Sequence, residues 1–234
     1  MPTTPDLTSI FHHYQATVQP GPLTQQAYSI ILAAIRELYL QPGQSFLERE
    51  VSEPLGMSRT PVHEALIRLE AAGWLAIIPR RGFKVAPILA TTITEIAQIS
   101  ENLDGLAVAL ATPRITAAEL TPLNDLVAQQ VTAMRHQDLR AYVQIDQRFH
   151  EQLVALAPNQ RLVQLIASYS DQLYRARLYA IDERALPEQS VQEHRAILAA
   201  MQSRNARAAQ ELMIGHRQRG SREIIKIIIQ KQAE

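Results

Sequence analysis

Residues 47–73 read LEREVSEPLGMSRTPVHEALIRLEAAG, and this stretch decides the fold of the first third of the chain. The pattern predicts a short helix over about 47–55, which Gly56 closes because glycine readily adopts the left-handed conformation found at helix ends. Ser58-Arg59-Thr60-Pro61 predicts the start of a second helix, since Ser or Thr can cap the first turn and proline is tolerated there. Two helices joined by so tight a turn are typical of a helix-turn-helix.

The residues on either side extend this motif. Upstream, residues 23–40 carry apolar side chains at helical spacing, and Pro42-Gly43 ends that helix. Downstream, Gly73 ends the motif's second helix, and two strand-like runs, 74–78 and 83–86, flank a turn at 79–82. Three helices followed by a hairpin predict a winged helix-turn-helix over residues 21–88.

The rest of the chain divides into an N-terminal arm and a helical region. Residues 1–20 contain three prolines and little pattern, so we expect a flexible arm. After Pro87 we find six helical segments with short connections and no strand signal. Their expected starts include capping boxes at 92–95 and 116–119 and caps at Asp138 and Asn205. The prediction is a mostly α protein, with an antiparallel six-helix bundle over residues 92–232.

Composition excludes several classes of protein. The chain has no cysteine, so disulfides and thiolate metal sites are excluded. It has no apolar run long enough for a membrane span, and we expect a cytoplasmic protein without a membrane partner. Lys plus Arg and Asp plus Glu both number 23. Any attraction for nucleic acid must therefore be local.

The predicted helix-turn-helix supplies candidate contacts to double-stranded DNA. Arg59 lies at the start of the reading helix, where its guanidinium matches the O6 and N7 atoms of guanine. The other candidates are the polar or basic neighbours and the tip of the hairpin, where Gly82 would let the backbone approach the duplex. The full set is Arg49, Ser58, Arg59, Thr60, His63, Arg80, Arg81, Gly82 and Lys84.

The helical region carries a candidate metal site. Asp146 and His150 are four residues apart and point to one side of a predicted helix. That helix is the third of the region, and His194 lies on the fifth and His216 on the sixth. Three imidazoles with one carboxylate suit zinc or nickel. The alternative is that these residues are ordinary surface or core side chains, which spacing alone leaves open.

Residues 23–87 resemble the DNA-binding domain of the GntR family of bacterial transcription regulators. The matching stretches are PG (42–43), LERE (47–50), LGMSRTPV (55–62), EAL (64–66), RLE (68–70), Gly73 and PRRGFKV (79–85). In that family the residues matching Arg49, Ser58, Arg59, Thr60 and the wing glycine contact the operator. The family usually has arginine where this chain has His63.

Residues 92–218 resemble the FCD effector-binding domain of the FadR subfamily. The matches are DQRFH (146–150) with PN (158–159), EHRAI (193–197) and a closing helix with His216. The resemblance implies that Asp146, His150, His194 and His216 bind a divalent metal ion. Six helices rather than seven resemble the VanR-like branch of the subfamily.

The resemblance also implies that an effector binds beside the metal, and we expect this effector to be a carboxylate. Where the family commonly has an arginine that holds such a carboxylate, this chain has Ser100. Arg148 and Tyr174 are candidate effector contacts, and Arg140, Arg175, Arg177 and Tyr179 are further possible substitutes.

The expected function is therefore a ligand-responsive repressor that binds a near-palindromic operator as a homodimer. Two alternatives remain at this stage. One is a metal-dependent hydrolase built on the Asp/His set, for which no nucleophile motif is found. The other is a helical scaffold whose winged helix binds protein.

Overall fold

The computed structural model describes residues 7–233, and the chain divides after Ile88 into two compact units. The mostly helical fold class, with an N-terminal winged helix-turn-helix and a C-terminal helical domain, is confirmed. Each unit has its own buried core and is described separately below.

Within residues 7–88, the N-terminal unit contains four helices and a three-stranded sheet. Its elements are α1 (Leu7–Gln15), α2 (Leu23–Arg36), β1 (Ser45–Phe46), α3 (Arg49–Leu55), α4 (Arg59–Ala71), β2 (Leu75–Ile78) and β3 (Gly82–Val85). Gly56 closes α3 in the left-handed conformation, as predicted, with φ of 62°. Ser58 occupies the N-cap position of α4, but its side chain makes no capping hydrogen bond. The buried faces of α2, α3 and α4 meet in one core.

The sheet contains a strand that the sequence did not reveal. β1 is two residues long and pairs antiparallel with β3, which also pairs with β2, so that the strand order is β1-β3-β2. Gly82 starts β3 with φ of 89°, and a Cβ there would lie 2.3 Å from the Phe46 carbonyl oxygen. Packing within the sheet therefore already requires glycine at this position, and close approach of its backbone to DNA stays a prediction.

The prediction of a flexible arm over residues 1–20 is wrong for the part that the structure describes. Residues Leu7–Gln15 form α1, whose Ile10 and Phe11 side chains are buried against the winged-helix core. Gln15 Nε2 donates a 2.8 Å hydrogen bond to the Leu55 carbonyl oxygen at the end of α3. Residues 1–6 lie outside the described residues.

The C-terminal unit contains six α-helices within residues 89–233. They are α5 (Ala90–Ala111), α6 (Ala117–Arg135), α7 (Leu139–Ala155), α8 (Gln160–Tyr179), α9 (Glu188–Gln202) and α10 (Ala206–Ala233). The capping box at Thr116 and Glu119 is present, and Asp138 and Asn205 accept backbone hydrogen bonds as caps.

The start predicted for α5 is wrong. The helix begins at Ala90, two residues before the expected capping residue Thr92, so no capping box forms there. Thr94 instead donates a hydrogen bond back to the Ala90 carbonyl within the first turn. Leu89 occupies the N-cap position of α5 and makes no side-chain capping hydrogen bond.

Packing within this unit brings α5 close to α10. A Cβ at Gly105 of α5 would lie 2.6 Å from Ile214 Cγ1 of α10, so the small residue allows the two helices to approach. α7 packs on α6, and α9 packs on both α6 and α10. Inward-facing side chains of α7, α9 and α10 consequently meet inside the unit. Among the helices of the described chain, none is long and apolar enough to cross a membrane.

Candidate metal centre and DNA-binding face

The predicted DNA contacts lie on the surface of the N-terminal unit. Arg59 and Thr60 start α4, and Arg49 starts α3, so each lies at a helix N-terminus where backbone N–H groups attract a phosphate. Arg80 and Arg81 form the turn between β2 and β3. All of the predicted contacts are exposed except Gly82, which is half-buried.

Acidic side chains occupy the same face. His63 Nδ1 lies 2.8 Å from Glu48 Oε2, which links α4 to the residue before α3. Glu64 Oε2 accepts a 2.8 Å hydrogen bond from the Thr24 hydroxyl of α2. His63 therefore contacts another element of the unit as well as facing solvent, and its imidazole is already engaged by a carboxylate.

The predicted metal ligands converge in the C-terminal unit. His150 from α7, His194 from α9 and His216 from α10 place one nitrogen each within 4.8 Å of one another. Asp146 lies one turn before His150 on α7, and all four side chains are buried. The antiparallel packing of three helices thus brings together residues that are 70 positions apart in the sequence.

The separations between these atoms fit a four-coordinate ion. His194 Nε2 lies 3.2 Å from His216 Nε2, which lies 3.3 Å from His150 Nε2. Asp146 Oδ1 lies 3.6 Å from His194 Nε2 and 3.8 Å from His150 Nε2. A tetrahedral zinc site with bonds of about 2.0–2.1 Å has ligand atoms roughly 3.3 Å apart.

Outer partners determine which ring nitrogens of two histidines carry protons. His194 Nδ1 donates to Gln130 Oε1 at 2.8 Å, and His216 Nδ1 donates to Glu193 Oε2 at 2.7 Å. Both partner atoms are acceptors, so each Nδ1 holds the proton and each Nε2 keeps a bare lone pair. Two lone pairs that face each other at 3.2 Å repel, and a cation between them removes that repulsion.

Asp146 is oriented by Arg177. The Arg177 Nε atom lies 3.5 Å from Asp146 Oδ2, and Arg177 also donates to Gln147 Oε1. Burial raises the pKa of Asp146, but Arg177 and other nearby positive groups outweigh this effect, so its net pKa lies below the usual value. The carboxylate therefore stays ionised, with Oδ1 directed at the histidines.

Burial favours the neutral form of the three imidazoles. Burial lowers the pKa of His150 and His194 well below the usual value, and nearby positive groups add to the effect. Burial also lowers the pKa of His216, although the hydrogen bond to Glu193 opposes the shift. Neutral imidazole and ionised carboxylate are the forms that bind metals, so the protonation states fit a divalent ion.

A cavity opens beside this cluster. Asp146 and His216 line one part of it, and Ser100, Arg177, Arg184 and Arg217 line the rest, together with apolar side chains. Ser100 donates its hydroxyl proton to the Ile96 carbonyl of its own helix. It can therefore only accept a further hydrogen bond, so it cannot hold a carboxylate as an arginine does.

Two of the predicted effector contacts do not line this cavity. Arg148 is exposed, because two residues beyond Asp146 the helix has turned its side chain away. Tyr174 is fully buried, but the lining residues of α8 are Leu173, Ala176 and Arg177. Their roles as effector contacts stay predictions, while Arg177, one of the possible substitutes, does line the cavity.

Sequence reasoning missed the outer partners Gln130 and Glu193 and the cavity arginines Arg184 and Arg217. Glu193 precedes His194, but its side chain serves His216 on another helix and accepts from Arg219 at 2.6 Å. Gln130 lies 64 residues before its partner His194. No short motif reports such tertiary pairs.

Comparison with known proteins gives a consistent result for both units. Residues 23–85 match the family described as bacterial regulatory proteins of the gntR family, and residues 95–219 match the FCD domain. The second match alone spans more than half of the chain.

Individual relatives agree with these matches. The chain is 29% identical over 206 residues to the HTH-type transcriptional repressor RspR of Escherichia coli, which covers 88% of this chain and 90% of that protein. It is 37% identical over 134 residues, 56% of this chain and 78% of the relative, to an uncharacterised HTH-type regulator of Agrobacterium vitis. The E. coli McbR/YncC structure superimposes with a TM-score of 0.77 at 24% identity, covering 91% of this chain and all of that one.

Proposed function

The chain belongs to the GntR family of bacterial transcription regulators and carries an FCD domain, and from this premise we propose that it is a metal-dependent, effector-responsive repressor acting as a homodimer. Its relatives and its domains are DNA-binding transcription regulators of the FadR-like subfamily and not enzymes, so the hydrolase alternative is excluded. Repression, dimerisation, the operator, the metal and the effector belong to the proposal.

The exposed start of α4 supports the proposed DNA contacts. Arg59 reads a base edge, while the hydroxyls of Ser58 and Thr60 and the guanidinium of Arg49 contact phosphates. The Ser58 hydroxyl is exposed at the start of α4, where its O–H can donate to a phosphate. The wing adds Arg80, Arg81 and Lys84.

The converging bare nitrogens of His194 and His216 are the observation that carries the metal proposal. We assign Asp146, His150, His194 and His216 as ligands of zinc or nickel. A bound divalent ion would supply a positive anchor for an oxygen of the effector. Gln130, Glu193 and Arg177 orient the ligands from outside.

An exposed apolar stripe on α5 supports the proposed homodimer. Ile99, Leu106 and Leu110 are 44, 40 and 37% exposed and recur at helical spacing on this helix. Leu165 of α8, which packs beside α5, is 44% exposed. Burying this stripe against a second copy would pair two winged helices for a near-palindromic operator. Function on DNA also supports a cytoplasmic location.

The DNA-binding part is tested by selecting sites from random DNA and measuring affinity by fluorescence anisotropy. Arg59→Ala is expected to weaken binding by about 1–3 kcal/mol per half-site. Arg68→Ala is the matched control, because Arg68 lies on the same helix with its guanidinium stacked 4.7 Å over the Tyr28 ring. Equal losses in the two variants would show that the assignment of α4 as the reading helix is wrong.

A further inference from the structure

His63 lies on the proposed DNA-binding face, one turn beyond Arg59. Both residues belong to α4 and are four positions apart, so their side chains project from the same side of the helix. The His63 side chain is 55% exposed, and its ring meets the Phe83 ring of β3 edge-on, with the ring centroids 6.5 Å apart. The imidazole is therefore held between α4 and the wing while much of it stays open to solvent.

Glu48 determines which nitrogen of this imidazole faces outward. His63 Nδ1 lies 2.8 Å from Glu48 Oε2, and a carboxylate oxygen only accepts hydrogen bonds, so Nδ1 carries a proton. Within residues 7–233, Nε2 of the same ring makes no hydrogen bond. In the neutral ring Nε2 is a bare acceptor, whereas in the charged ring both nitrogens are donors. Only the charged form can donate a hydrogen bond from Nε2 to a phosphate oxygen.

The charged groups around His63 act in opposite directions. Glu48, which directly precedes α3, attracts a positive charge on the ring, while Arg59 on the same helix repels one. From β3 the ring meets the uncharged Phe83, and no other charged side chain of residues 7–233 is found in contact with it. The phosphates of a duplex would add negative charge on this face only when DNA is bound. The charged ring is consequently favoured more in the complex than in the free protein.

We infer that His63 contacts an operator phosphate as an imidazolium, so that operator binding is coupled to uptake of a proton at each half-site. The ring would then bridge two anions, with Nδ1–H donating to Glu48 and Nε2–H donating to a phosphate oxygen. Glu48 is the positioning residue, because it fixes the orientation of the ring and supports its charge. This inference rests on the proposed function and deepens it.

The direction of the pH dependence follows from the proton count. The complex holds more protons than the free protein and DNA together, so the association constant rises as the pH falls and declines as the pH rises. Imidazole exchanges its proton in the physiological pH range. A charge-assisted hydrogen bond gained at each half-site would change the affinity by about tenfold, or by about a hundredfold for a dimer.

The test measures the affinity of the full chain for the selected operator by fluorescence anisotropy, between about pH 6 and pH 8.5 at constant ionic strength. The wild type is expected to bind about a hundredfold more tightly at the acidic end. His63→Arg carries a permanent charge and should bind tightly at every pH. His63→Gln cannot become charged and should bind weakly at every pH, so both variants should lose most of the pH dependence.

The variant Glu48→Gln separates positioning from a purely structural role. Its amide oxygen can still accept from Nδ1, but the negative charge that supports the imidazolium is lost. We therefore expect the pH dependence to move to more acidic pH. A merely structural role of Glu48 would instead weaken binding equally at every pH and leave the shape of the curve unchanged, which would contradict its assignment as the positioning residue.

Two controls keep the result interpretable. His12→Gln removes another exposed histidine of the same unit and should keep the wild-type curve. The histidines of the metal cluster are unchanged in every variant, so any effect of pH on them is common to all curves. Circular dichroism at each pH checks that the variants remain folded.

The two possible failures are distinguishable. Operator binding that does not change with pH in the wild type, or a pH dependence retained in full by His63→Gln, would overturn the inference and leave the proposed function standing. A wild type that binds no operator at any pH would contradict the proposed function and the inference with it.

Discussion

Gly82 is the residue where one side chain decides the geometry of the wing. It begins β3 in the left-handed region, with φ of 89°, and its α-carbon faces the Phe46 carbonyl of β1. A methyl group here meets both a disfavoured backbone conformation and a rigid backbone atom. In this chain, packing against β1 is by itself enough to require glycine at position 82.

Gly82→Ala is therefore expected to lower the free energy of unfolding by about 2 kcal/mol or more, through backbone strain and the displaced β1. Chemical denaturation of the full chain measures this loss. Gly21→Ala is the control, since a Cβ at Gly21 meets nothing within 4 Å and its φ is not positive. A loss at Gly82 no larger than at Gly21 would mean that β1 does not pack on the wing.

At this scale the sequence predicted which residues form the Asp/His cluster but not what surrounds them. The i, i+4 spacing of Asp146 and His150 is a local signal, and the structure places both in the cluster with His194 and His216. Arg217 follows a ligand in sequence but carries no local signal of its contact with Asp104, 113 positions earlier. Pairings set by the packing of distant helices leave no mark on short stretches.

At the scale of elements, α1 extends the winged helix beyond the residues that match the family. Its apolar residues Leu7, Ile10, Phe11 and Tyr14 recur at i, i+3, i+4 and i+7, and they pack on the core of the unit. This helical pattern was present in the sequence, but the three prolines of residues 1–20 favoured an arm. Pro20 lies after α1 ends, so it does not interrupt the helix.

Phe11→Ala is expected to destabilise the N-terminal unit by about 3–5 kcal/mol, because Phe11 is fully buried and its removal leaves a cavity. Thermal or chemical denaturation of the full chain, followed by circular dichroism, measures the change. The exposed neighbour His12 on the same helix provides the control His12→Ala, which should change stability by less than about 0.5 kcal/mol. Equal stability of the two variants would show that α1 does not dock.

Element boundaries were predictable where a local capping interaction sets them. Three helices are capped as expected, by Thr116, Asp138 and Asn205. In each, a side-chain oxygen accepts a hydrogen bond from the backbone N–H three residues on. β1 was not predictable because two residues carry no periodicity, and only pairing with β3 makes them a strand. The start of α5 at Ala90 was not predictable either, because no side-chain cap marks it.

At the scale of the whole molecule, the charge balance describes how the protein would meet DNA. Residues 1–90 hold seven basic and seven acidic side chains. Glu48 directly precedes α3 and Glu64 lies on α4, so both are beside the proposed DNA contacts. Acids beside the proposed contacts oppose general attraction to phosphate. Specific binding would then depend on contacts to base edges and on the pairing of two N-terminal units in a dimer.

Operator binding is consequently expected to show a shallow salt dependence. The slope of log K against log salt should be no steeper than about −5 for the dimer, equivalent to fewer than about six neutralised phosphates. Anisotropy titrations of the selected duplex between 50 and 300 mM salt measure it. A slope near −10 would imply many phosphate contacts and would show that attraction to DNA is not limited to a few basic side chains.

We propose that three histidines and one aspartate hold a single divalent ion in each chain of a homodimer. Native mass spectrometry of freshly purified protein tests this proposal, because one spectrum reports chain number and bound metal. We expect a dimer with two zinc or nickel ions, loss of both ions in His194→Ala, and retention in His136→Ala, whose histidine is exposed outside the cluster. A wild-type protein that stays free of metal after incubation with zinc and nickel, or a His194→Ala variant that keeps its ions, would show that the proposal is wrong.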